Sequence, residues 1–451
     1  MKGFGRKPIF GLFLIVSFLV SILITSSFAG EIPYYVPKTF DPNKKVDQRG
    51  DVIVVVGEST FLQKGGDPST HSSGTPYTNH AVFGGLAWSN QQRHPVPNIA
   101  YKWEINPGWK FMDFFLRDDI KFHNGDLVTA EDVKFSIDTN MRKDLKFVYG
   151  GTFRRLFERG EVLGPHKFRL HFKTPAQGIE HRFSWGAGVF PRKYREAVGD
   201  GGFADKPIGT GPFKWVDYKQ DQWFKLEAVK VHHRKTPAIK TLKFVFVPEN
   251  STRLAMLKTK EGDIVHLAPP HVPAAQKFKD VRVKFTRYVS GSVLIYADLA
   301  FADTPSPFKD IRVREAASLA IDRKAICEKI LFGVAEPYGE QISGISLGFD
   351  SSIKHDPYDP ERAKALLKEA GYPNGFETTL NITTTSLTGQ AIAANLGEIG
   401  IKTKLNVLET GAWVKNYRAK KFKGLIPGQS WYGAEKSGVA DAISNNMRGS
   451  R

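Results

Sequence analysis

The stretch Leu116 to Asp138, reading LRDDIKFHNGDLVTAEDVKFSID, constrains the fold of this chain more than any other. Phe114, Leu116, Ile120 and Phe122 are apolar residues of an extended segment, and His123-Asn124-Gly125-Asp126 is turn chemistry, with Gly125 free to take positive φ. Thr129 stands where it can cap a helix whose first turn carries Glu131 and Asp132, carboxylates that favour the positive end of the helix dipole. Val133 and Ile137 then supply an apolar stripe at i, i+4. The stretch therefore reads as a strand, a turn and the start of a capped, amphipathic helix.

At 451 residues and 41% hydrophobic, the chain is too long for one ordinary domain and can bury a sizeable core, so two or three domains are expected. No internal period of the solenoid or propeller kind is present. Lys2, Arg6 and Lys7 precede an apolar run from Ile9 to Ile24, and Ser27-Phe28-Ala29 fits the small-x-small rule, which predicts an export signal over 1–29 cleaved after Ala29. The alternative is an uncleaved anchor, for which the run is slightly short of the roughly 20 residues a span needs. Cys327 is the only cysteine, which excludes an internal disulfide and a cysteine-based metal site. Gly30 and Glu31 follow the expected cleavage point, where a lipoprotein would need cysteine. A freely diffusing, monomeric periplasmic protein of a two-membrane bacterium is therefore expected.

Removing Lys2, Arg6 and Lys7, with no acidic residue among the first 29, lowers the formal charge from +18 to +15. Such a chain can attract anionic headgroups, acidic ligands or nucleic acid. Its basic residues are dispersed except at Lys415, Arg418, Lys420, Lys421 and Lys423, a pattern read as a solvated helix face, and no nucleic-acid-binding module is present.

Further along, Asp51 to Gly57 (DVIVVVG) reads as a buried strand and Lys167 to Lys173 as a half-buried one. Pro207 to Phe213 (PIGTGPF) is a rigid turn leading into the strand Lys214 to Tyr218. Helices are expected over Ser251–Lys258, Val313–Leu331 (with Ala316, Leu319, Ala320 and Ile326 inward), Glu361–Ala370 and Ala391–Ile399, and a strand over Ile401–Leu408.

The wording FHNGDLVTAEDVKFS resembles the signature of the family 5 extracellular solute-binding proteins, the peptide and oligopeptide receptors of ABC importers. PIGTGPFKW, DIRVREAASLAIDRKAI, YDPERAKALLKEAGYPNGF and NLGEIGIKTKLNVLE are similar to further landmarks of that family, in its order, and together cover most of the chain from Asp51 to about Trp431. The resemblance implies an α/β periplasmic binding protein-like fold of the class II, or cluster C, kind: two lobes with an extra inserted domain and a ligand enclosed between the lobes. The first lobe would comprise residues 30–75 and 187–290, the inserted domain 76–186, and the second lobe 291–451. Hinged closure on the ligand would follow. Family chains run on for roughly another hundred residues, a domain-scale length, and return to the first lobe. This sequence stops at Arg451, so an incomplete second lobe is expected, whether from a truncated gene, a fragment or a lineage without the return strand.

By the same resemblance, the function is capture of a peptide or related small solute for the membrane permease subunits of an ABC importer, with no cofactor, metal or catalysis. Many peptide receptors of the family hold the peptide amino terminus with an aspartate three residues after a tryptophan. Here Trp431 is followed at that distance by Ala434, with Glu435 one place further on. The candidate ligand residues are Ser59 and Thr60 from the first lobe and Thr410, Trp413, Trp431, Tyr432 and Glu435 from the second. Aromatics can flank ligand side chains, a carboxylate can pair an ammonium and hydroxyls can serve peptide amides. Trp413, beside Val414 and Tyr417, can equally be core, and Glu435 can equally be a solvated acid.

His232-His233 stands where relatives tend to carry Tyr-Trp, and an adjacent pair alone is a poor metal signal. Gly344-Ile345-Ser346-Leu347-Gly348 matches the nucleophile elbow formally, which would make Ser346 a hydrolase nucleophile. The elbow requires a strand before and a helix after, whereas Pro337-Tyr338-Gly339 and Phe349-Asp350-Ser351-Ser352 give loop on both sides. A degenerate fragment that binds nothing is the remaining alternative.

Overall fold

The computed structural model describes residues 46–57, 65–70, 80–89, 95–145, 147, 149–175, 179–185, 188–285, 291–300, 305–337, 350, 352–383 and 386–430. The Val/Ile run forms strand β1 (Asp51–Val56), whose far end is buried at Val55 and Val56. A hairpin of β2 (Ala87–Ser89) and β3 (Pro95–Pro97) leads into β4 (Ala100–Ile105) and β5 (Phe111–Leu116). Helices α1 (Ala130–Met141) and α2 (Gly150–Leu156) follow, then β6 (Phe157–Gly164) and β7 (Lys167–Phe172).

Strands β4 to β7 make an antiparallel sheet in the order β4-β5-β7-β6. Its period-two pattern turns Phe168, Leu170 and Phe172 into a core shared with Val133 and Ile137 of α1. That core is aromatic: Phe157 stacks on Phe183 at 5.9 Å and Phe114 meets Phe183 edge-on at 4.9 Å. The turn before α1 is tied by Phe122 N–H donating to Asp126 O and Gly125 N–H to Phe122 O, with Gly125 at φ +97°. Thr129 caps α1 as its position predicts, through its N–H and Oγ, which both donate to Asp132 Oδ2 at 2.9 and 2.7 Å.

The chain then builds α3 (Arg192–Asp205), β8 (Phe213–Lys219), β9 (Trp223–Ala228), β10 (Thr241–Phe246), α4 (Asn250–Lys258) and β11 (Ile264–Val265). β1 joins these late strands in a five-stranded sheet ordered β11-β1-β10-β9-β8 and runs parallel to both β10 and β11. Val56, Val82 and Phe83 share its core with Phe190, Phe203, Phe224 and Phe244, so residues on both sides of the antiparallel domain complete one hydrophobic unit. Asp132 binds that unit to α1: its Oδ1 accepts the Arg192 N–H at 2.9 Å, while Ser136 Oγ accepts the Phe190 N–H at 2.7 Å.

A separate core forms from β12 (Gly291–Tyr296), α5 (Ile311–Leu319), α6 (Pro360–Glu369), β13 (Phe376–Thr383), α7 (Leu387–Glu398), β14 (Ile401–Leu408), α8 (Thr410–Arg418) and β15 (Leu425–Ser430). The sheet order is β12-β15-β13-β14, with β13 parallel to β14 and β15 and β12 antiparallel at its edge. Two helices differ from expectation. The helix read as Val313–Leu331 breaks after Leu319, because Asp322 leaves helical geometry at ψ 83° and its carboxylate accepts the Ala325 N–H at 2.8 Å, capping a new turn that runs into a π-helical Ile326–Ile330. Ala316, Leu319, Ala320 and Ile326 are nonetheless buried. The helix read from Ala391 begins at Leu387, where Ser386 Oγ accepts the Gly389 N–H.

Candidate ligand cleft and the junction beside it

In open α/β sheets ligands gather outside the carboxyl ends of parallel strands. In the first sheet those ends are Val56, Phe246 and Val265. Arg253 of α4 lies almost fully buried and joins the exits of β10 and β11 by donation to Val247 O at 2.5 Å, Pro248 O at 2.8 Å and His266 O at 2.7 Å. Asn250 Oδ1 accepts from the same guanidinium and from the Ala268 N–H. A Cβ at Gly57 would collide with that guanidinium, so glycine is required where the chain leaves β1. This fixes the point from which Ser59 and Thr60 depart. Both of those residues lie outside the described structure.

In the second sheet the corresponding ends are Thr383, Leu408 and Ser430. Thr410 opens α8 directly after β14, and Trp413 lies one turn on. The Trp413 indole N–H donates to Asn381 O at 3.1 Å, and its half-buried ring stacks on Tyr417 with centroids 5.2 Å apart. Asn381 is buried within β13. Its Nδ2 donates to Lys423 O and Leu425 O at 2.7 and 2.9 Å, and its Oδ1 accepts from Asn406 Nδ2 at 2.9 Å, so one amide joins β13, β14 and β15. Trp431, Tyr432 and Glu435 lie outside the described residues, as does Ser346. Of the seven candidates, Thr410 and Trp413 are the two among the described residues, and they lie on one helix.

Sequence reasoning missed Arg253 and Asn381. The one signal for Asn381 is an amide flanked by the apolar Leu380 and Ile382, which in a buried position must be satisfied. For Arg253 the sequence gives no such signal, because its carbonyl acceptors follow two different strands, Val247 and Pro248 after β10 and His266 after β11.

The PIGTGPF turn meets the signature turn at the opposite edge of the first sheet. A Cβ at Gly209 or Gly211 would strike the carbonyls of Val82 or Ala81, so two backbones touch there. His123 Nε2 donates to Gly211 O at 2.9 Å while its Nδ1 accepts the Gly209 N–H at 3.4 Å. His232 uses its ring in the same sense, Nε2 donating to Thr210 O at 3.2 Å and Nδ1 accepting the Arg234 N–H at 3.2 Å. Each ring needs one donor and one acceptor, which only the neutral form offers. Burial agrees, lowering both to a pKa of about 4. His233, its ring 4.1 Å from that of His232, donates from Nε2 to Asn98 Oδ1 at 3.0 Å and is pushed well below its ordinary value, chiefly by burial. Among the described residues no group of three or more His, Cys, Asp or Glu side chains could hold a metal. The histidine pair joins the loop after β9 to the PIGTGPF turn at Thr210 and to Asn98 at this junction.

The model for the middle part of bacterial extracellular solute-binding proteins, family 5, matches residues 94–446. Heme-binding protein A of Haemophilus influenzae is 28% identical over 383 residues, covering 78% of this chain and 69% of the relative. Di/tripeptide-binding protein 2 of Pseudomonas aeruginosa is 29% identical over 402 residues, covering 82% and 74%. The solved structure of NikA from Brucella suis in complex with Fe(III)-EDTA superposes with a TM-score of 0.77 at 21% identity, over 89% of this chain and 85% of that one. The fold is the two-lobe α/β architecture of periplasmic binding proteins, and no helix among the described residues is long and apolar enough to cross a membrane. The chain belongs to family 5 of the bacterial extracellular solute-binding proteins, and its role is to bind a solute for transport.

Proposed function

We propose that this protein is exported by cleavage after Ala29, diffuses in the periplasm as a monomer, and captures a peptide or closely related small solute for the permease subunits of an ABC importer without chemically altering it. The observation that carries the reading is the pair of mixed α/β sheets, each tied at the carboxyl ends of its parallel strands: Gly57 packs against the Arg253 guanidinium in one, and Trp413, one turn after Thr410, donates to Asn381 O in the other. The di/tripeptide-binding relative supports the peptide class. In this reading residues 30–75 and 187–290 form one lobe, 76–186 the inserted domain and 291–451 the other lobe. Ser59, Thr60, Thr410, Trp413, Trp431 and Tyr432 line the space between the lobes, with Glu435 as the anchor for the peptide ammonium.

The test is a thermal melt of the exported protein with and without a mixed di- to pentapeptide library. A ligand at about 100 Kd adds roughly 2.7 kcal/mol to stability. An upward shift that Glu435→Gln abolishes supports both the class and the anchor; a shift that survives Glu435→Gln removes the anchor alone. A cooperative melt indifferent to every peptide ends the peptide reading.

A further inference from the structure

At the junction, on the amino-terminal side of the parallel pair β1/β10 and away from Gly57, stands a cation that no carboxylate among the described residues meets. Arg234, half-buried in the loop between β9 and β10, lays its guanidinium carbon 3.8 Å from the ring centroid of Trp88 on β2. His80 meets the same indole edge-on, with centroids 5.0 Å apart, and His233 precedes Arg234 in the chain. The buried arginines elsewhere are each fully engaged, Arg195 with Asp67 and Asp200 and Arg253 with strand-end carbonyls. Arg117, close enough to act on His232 and His233, is paired with Asp119. Arg234 differs: among the described residues no carboxylate and no hydrogen-bond acceptor meets its guanidinium. The undescribed stretches that flank His80 and Trp88 in sequence, 71–79 and 90–94, contain no Asp or Glu.

A guanidinium with its face on an indole keeps its donor edge free, in the geometry that takes a planar two-oxygen anion through parallel N–H···O bonds. Burial lowers the Arg234 pKa to about 10, the mark of a charge that has lost water and gained no partner. His80, lowered to about 4 by burial and then by Arg234, is neutral alongside it, and so is His233. The corner therefore offers one unneutralised positive charge, which matches a monoanion; a phosphate dianion would call for more than one cation. We propose that Arg234, backed by Trp88 and bordered by His80 and His233, is a binding site for the carboxylate of a small organic acid, separate from the cleft between the lobes.

The test follows the melting temperature of the full chain in sodium acetate, acetamide, inorganic phosphate and sodium chloride at constant ionic strength. The expected result is stabilisation by acetate beyond that by the other three. Arg234→Gln is expected to weaken acetate at least tenfold, and Arg234→Lys, which keeps the charge but not the planar donor edge, to fall between the two. Peptide binding in the cleft should persist in both variants, so loss of this site and loss of the cleft reading remain distinguishable. Acetate acting no better than acetamide, chloride or phosphate, including no action by any of them, overturns the proposal without needing a variant. Acetate binding unchanged in Arg234→Gln overturns it as well.

Discussion

His123 and His232 each hold one neutral tautomer between a carbonyl acceptor and backbone N–H donors. Their folded pKa values of about 4 lie below the ordinary 6.5, so the unfolded chain binds more protons in the interval between. Stability from these rings is therefore fully present above about pH 6.5 and is lost as pH falls towards 4. For His232, which is nearly inaccessible, the effect is on the order of 3 kcal/mol. Urea midpoints at about pH 7.5 and about pH 5 should fall steeply for the native sequence and less for His232→Gln, whose neutral amide cannot take the proton. An equal fall in both would assign the acid sensitivity to other groups. The pair is legible in sequence as a departure from Tyr-Trp, but its structural task is not, since its partners Thr210 and Asn98 lie 22 and 135 residues away.

The elements that could be read in advance are those whose determinants are local. Thr129 and Asp132, three residues apart, announce the start of α1, and the alternation of Lys167 to Phe172 announces β7. The break after Leu319 could not be read, because the apolar spacing of Ala316, Leu319, Ala320 and Ile326 continues across Asp322 and only the carboxylate capping Ala325 reveals it. Asp132 shows how one residue serves two elements. Its Oδ2 caps α1 and its Oδ1 holds the Arg192 N–H at the start of α3. Asp132→Ala should cost about 2 kcal/mol, a cap plus a buried hydrogen bond left unmade. Asp138→Ala, which removes only the exposed pair with Lys134 on the same helix, should cost no more than about 0.5 kcal/mol. Urea denaturation of the two variants gives the comparison, and equal losses would refute the dual role. The candidate site was less legible than the elements: Arg253 and Asn381 act on backbone carbonyls brought together only by the fold.

At the scale of the whole molecule, the pairing of β1 with β10 joins residues as far apart as Asp51 and Thr241, 190 positions in sequence, whereas β4 to β7 pair within one continuous segment. Closing the longer loop comes late, since its entropy must be met before the contacts reward it. Pulsed hydrogen exchange during refolding should protect amides of β5 and β7 before those of β1, and simultaneous protection would contradict this order. For a protein synthesised from its amino terminus, the β1/β10 pair cannot close until Phe246 has been made, past the midpoint of the 451-residue chain. The apolar DVIVVV strand thus emerges long before its partner. For a member of a family of extracellular solute-binding proteins, that delay leaves the leading strand unpaired while the rest of the chain is still being made, the state in which an export channel can thread it.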